Sequence, residues 1–73
     1  MIEDKKVAKE INNLMLEYQA KLAESVSIVR DNCSEKDIYE YRIAIGNVLG
    51  LIIKKVMVPI YETHPDLDPD KKN

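Results

Sequence analysis

The chain has 73 residues, a net charge of −2 and a sequence pI near 5.3. A domain of this length buries only about 60% of the surface its unfolded chain exposes. One cysteine and one histidine exclude an intramolecular disulfide and argue against a Cys/His zinc site, and no basic block marks a nucleic-acid surface. Self-association is then the remaining source of stability. The hydrophobic share of 45% is that of a folding chain, and all three prolines lie beyond residue 58, so the first 58 residues carry almost no helix breakers.

From about 4 to 31 the pattern is helical. Ala8, Ile11, Met15, Tyr18, Leu22, Val26 and Val29 recur at steps of three or four. Val7, Leu14 and Ile28 widen that stripe, while Gln19 falls off it. Asp4 is placed to cap the start, and Arg30 suits the negative end of the helix dipole. Asn32-Cys33-Ser34 breaks the pattern. Asn is one of the few residues that readily closes a helix in the left-handed conformation. Ser34 followed by Asp37 is a variant capping box. So short a connection makes the flanking helices antiparallel neighbours.

The second helix is expected from about 35 to 58. One stripe holds Ile38, Ile45, Leu49, Ile52 and Val56, and a second holds Tyr39, Ile43, Gly46, Gly50, Ile53 and Met57. The stretch "IAIGNVLGLII" at 43–53 is apolar or glycine apart from Asn47. One partner helix can cover a single side of such an element, and contiguous apolar surface left over marks an interface. The fold expected is therefore all-α: an antiparallel two-helix hairpin that pairs as a homodimeric four-helix bundle. The expected dimer core is Ile38, Ile45, Gly46, Leu49, Gly50, Ile52, Ile53 and Val56. Each helix-interior glycine costs about 1 kcal/mol relative to alanine, and the four-residue spacing of Gly46 and Gly50 suits a close helix crossing. A membrane span is not expected, because the apolar run is 11 residues against the roughly 20 a bilayer needs and Lys54-Lys55 interrupts it.

Pro59 should end or kink the second helix. Residues 1–62 then form one domain, and 63–73 read as an extended, polar, acidic tail. Within "ETHPDLDPD", the acids flanking His64 follow the first half of a calcium loop but depart from it at Lys71, where glycine is required. Cys33 precedes a helix start, which favours a thiolate, yet no base is near in sequence. Tyr18, Tyr39, Tyr41 and Tyr61 fit the rim of a bundle, and Arg42 is within reach of Glu17 or Glu24. No phosphate loop, catalytic triad or di-metal motif can be assembled.

These residues predict no enzyme, no cofactor and no metal site. They suggest a small cytoplasmic protein that pairs with itself and acts through protein–protein contact as an adaptor or regulator, with another protein as a further partner. The alternative is a bundle holding a small apolar ligand in a core pocket near Gly46 and Gly50.

Overall fold

The computed structural model describes residues 1–71 and is helical throughout, with no strand among them. Helix α1 spans Lys5–Asn32 and helix α2 spans Glu35–Ile52. A π-helical turn, Ile53–Met57, joins α2 without a break to α3, Val58–Thr63. The hairpin of α1 against α2 agrees with the expected fold class.

Local chemistry sets the ends. The Asp4 carboxylate accepts from the Val7 N–H at 3.1 Å, and the Ser34 hydroxyl accepts from the Asp37 N–H at 3.2 Å. Each satisfies one of the unpaired donors of a first turn. The end of α1 closes differently from expectation. Cys33 is extended (φ −127°) and its N–H reaches the Val29 carbonyl, while the Asn32 side-chain amide donates to the Ile28 carbonyl at 2.7 Å. Asn32 thus works through its side chain, and no left-handed residue is needed.

Pro59 does not end the helix. It has no N–H to give to the preceding turn, and its ring would strike the carbonyl four residues back. The turn before it widens instead, with the Val58 N–H reaching back five residues to the Ile53 carbonyl. Widening also shifts the phase. Met57 belongs to the outer stripe by simple 3.6-residue counting, but it is buried, as is Ile60 one turn on. The first stripe of α2 is thereby continued inward across the proline.

The core is small: Ala8, Ile45, Met57 and Ile60 are the buried apolar residues, joined by buried Asn12. Ile11, Met15, Leu22, Val26 and Val29 of α1 are half-buried, while Tyr18 is exposed. Gln19, off the expected stripe, points inward and its amide donates to the Met57 sulfur at 3.1 Å. Beyond Thr63 the chain is not extended. Two 3₁₀ turns, Pro65–Leu67 and Pro69–Lys71, fold it back beside the start of α1.

Overall extents are 44 × 24 × 16 Å. Two long helices packed side by side make a single layer. Domains ordinarily need two packed layers. The radius of gyration is 14.9 Å, against about 11 Å for a compact chain of this length.

Candidate functional site

At 100° per residue, α2 turns one line toward α1 and two lines away from it. Of the eight residues expected in a dimer core, Ile45 is buried and Ile38, Leu49, Ile52 and Val56 are half-buried on the line facing α1. These five form the seam of the hairpin itself. Gly46, Gly50 and Ile53 lie outward and are exposed. The expected core thus divides between an internal seam and an open face.

The outward glycine face carries Tyr39, Ile43, Gly46, Gly50 and Ile53, all exposed. A β-carbon placed on either glycine would find nothing within 4 Å. Inside one chain the glycines therefore serve no close crossing. The opposite face is also apolar. Val7, Leu14 and Tyr18 of α1 and Val48 and Leu51 of α2 have relative exposures between 36% and 55%. Toward the hairpin end this second face opens into a shallow recess lined by Val29, Cys33, Asp37, Glu40, Tyr41 and Ala44.

Two tyrosines pin the seam, a role the sequence did not single out. Tyr61 donates to the buried Asn12 Oδ1 at 2.7 Å, and Tyr41 shares a hydrogen bond with Ser25 at 2.8 Å. Burial raises the Tyr61 pKa. Asn12 lies beside the apolar stripe of α1, and its pairing with a residue 49 positions away makes it core. No buried side-chain polar atom among the described residues lacks a partner.

Among the described residues no group of three potential ligands converges. His64 Nε2 lies 2.9 Å from the Ile2 carbonyl, which can only accept, so that nitrogen carries the proton. Ile2 has φ +55°, unusual for a β-branched residue. Asp66 pairs with Lys5, and that hydrogen bond holds the Asp66 carboxyl below its ordinary value. Arg42 is exposed and joins neither ion pair found among the described residues, Lys5–Asp66 and Arg30–Asp31. Cys33 is a free, exposed thiol.

The helix runs unbroken from Glu35 to Thr63 and contains an 18-residue window of mean hydropathy 1.8, long and apolar enough to cross a membrane by length and composition only, a property shared by core helices of proteins that cross none.

The arrangement defines a one-layer α-hairpin with two apolar faces. The chain matches no protein-family description, no curated protein and no solved structure at a significant level of similarity.

Proposed function

We propose that the chain is one half of a homodimeric helical bundle, a non-enzymatic protein that acts by protein–protein contact. The observation that carries this reading is the surface the hairpin leaves uncovered. It exposes 5509 Å². A compact monomer of this mass would expose about 4,600 Å², roughly 900 Å² less. One partner's share of a standard interface is about 800 Å². A second copy laid on one face supplies the missing layer and removes the excess.

Within this reading the self-contact is the glycine face, with Gly46 and Gly50 at the crossing and Ile43 and Ile53 beside them. Without β-carbons, the two α2 backbones approach closely and bury those isoleucines against each other. Lys54 and Lys55 end the apolar run of α2 just beyond Ile53. The ligand-binding alternative has less support, since neither shallow recess of the hairpin reaches the glycines.

Multi-angle light scattering tests the proposal. A mass of two chains at micromolar concentration, falling toward one chain on dilution, is the expected result. A single-chain mass with helicity intact, at every concentration tried, overturns it.

A further inference from the structure

A recess of about 400 Å³ lies between α1 and the C-terminal 3₁₀ turns. Lys5, Lys9, Asn12, Asn13 and Leu16 supply its helical wall, and Asp66, Leu67 and Pro69 supply the other. Steps of three and four along α1 place the first set on one helix face. The Lys5–Asp66 pair ties the two walls together and neutralises both charges. Lys9 joins neither ion pair found among the described residues. It is the one charge in the lining that the lining itself does not balance.

Asn12 sets this recess apart from an ordinary surface dip. Its relative exposure is 5%. Its oxygen accepts from Tyr61, and no hydrogen bond among the described residues uses its amide nitrogen. No fully buried side-chain polar atom among those residues lacks a partner. The nitrogen therefore keeps an open side, and the recess that Asn12 lines is where it opens. An N–H held in so buried a side chain has already lost most of its water, so an acceptor that reaches it gains a hydrogen bond at low desolvation cost.

We propose that this recess binds a small monocarboxylate with an apolar body, its carboxylate on Asn12 Nδ2 and the Lys9 ammonium and its body against Leu16, Leu67 and Pro69. The free donors set the head group. One amide nitrogen and one ammonium call for an acceptor, and hydrogen bonds to an ionised acceptor are the stronger ones. The leucines and the proline set the body, because a hydrated inorganic anion gains nothing from them. Neighbouring acids set the charge. Burial, and then the carboxylates of Asp68 and Asp70, raise the Tyr61 pKa. Two negative charges are thus felt at the Asn12–Tyr61 pair, and they oppose a doubly charged ligand. Volume sets the size: an apolar cavity of about 150 Å³ holds benzene, so one ring and a carboxylate fit here. The recess lies within one chain, so the proposal is independent of the homodimer reading. A ligand bridging its walls also holds the C-terminal turns against α1 by mass action.

Benzoate is the probe, titrated into the full-length, isotope-labelled chain and followed by two-dimensional amide NMR. The Asn12 side-chain amide and the Leu67 backbone amide should shift together and saturate with a Kd of about 1 mM. Amide exchange at Leu67 should slow as the site fills. Lys9→Ala should weaken binding by about three- to fivefold, the scale of an exposed ion pair. Leu16→Ala should weaken it by a similar factor through lost apolar contact. Asn12→Asp keeps the acceptor for Tyr61 but replaces the donor with a negative charge, and should weaken binding by about thirtyfold. Circular dichroism checks each fold. Lys9 and Leu16 are exposed, so their variants decide the matter if Asn12→Asp unfolds. The proposal is overturned if benzoate at about 20 mM leaves the Asn12 side-chain amide unmoved, or if the shifts never saturate. It is equally overturned if benzamide or inorganic phosphate binds as tightly as benzoate, or if Lys9→Ala and Leu16→Ala both bind like the wild type.

Discussion

Gly50→Ala is the substitution whose sign distinguishes a lone hairpin from a paired one. In one chain the added methyl meets nothing within 4 Å, and Gly50 has helical backbone in the interior of α2. Alanine should then stabilise by about 0.8–1.0 kcal/mol, its helix-propensity advantage over glycine. In the proposed dimer the same methyl lands between two closely approaching backbones. Overpacking of that kind costs about 1–3 kcal/mol. Set against the propensity gain, the net effect is a loss of about 0–2 kcal/mol. Gly50→Val should lose more, because the branched side chain is larger and a poorer helix former. Urea unfolding at protein concentrations spanning about two orders of magnitude reads both quantities, since each tenfold rise in concentration is worth about 1.4 kcal/mol to a two-state dimer. With a slope near 1 kcal/mol/M for so small a chain, the expected displacement of the midpoint is about 0–2 M downward. A midpoint that rises by about 1 M in Gly50→Ala, and that ignores concentration, would refute the close crossing.

Other expectations follow from the seam, the C-terminal turns and the π turn. Tyr61→Phe strands the buried Asn12 oxygen and should cost about 1–3 kcal/mol in thermal or denaturant unfolding. Truncation after Thr63 removes the His64–Ile2 hydrogen bond, the Lys5–Asp66 pair and half-buried Leu67. It should lower the melting temperature and speed amide exchange in the first turns of α1; an unchanged melt would show that these contacts add nothing. The Asp66 carboxyl is held below its ordinary value near 3.8 in the folded chain. Its contribution is therefore present above that value and lost as pH falls through the lower, folded one. Acidification should loosen the 65–67 turn, as read by amide exchange at Leu67, and Lys5→Ala should abolish that dependence. Deleting Lys54 together with Pro59→Ala should convert the π turn to regular helix with little loss of stability, because a π turn is one extra residue in an otherwise continuous phase. Deleting Asn47 rotates everything beyond it by about 100° and should unfold the hairpin.

Sequence alone determined the helical hairpin. Steps of three and four along Ala8–Val29 and Ile38–Val56, a cap at Asp4, and the Ser34 cap after a short break are local signals, and each acts within a few residues of where it is written. It also determined that too much of α2 is apolar for one neighbour to cover. Only the tertiary structure decided which apolar line faces α1. Ile45, Leu49 and Ile52 point inward and Gly46, Gly50 and Ile53 outward, although both lines have similar hydrophobicity. Periodicity measures the angle between residues on one helix and says nothing of where the second helix sits. Pro59 shows the same limit: its chemistry predicted a break, but a widened turn keeps the helix intact and brings Met57 and Ile60 into the core. Asn12 and Tyr61, and His64 with Ile2, are pairs far apart in sequence, and their polar chemistry resembled surface until folding brought each to its partner. A buried hydrogen bond between distant residues leaves no periodic trace, because its condition is closeness in space rather than spacing along the chain.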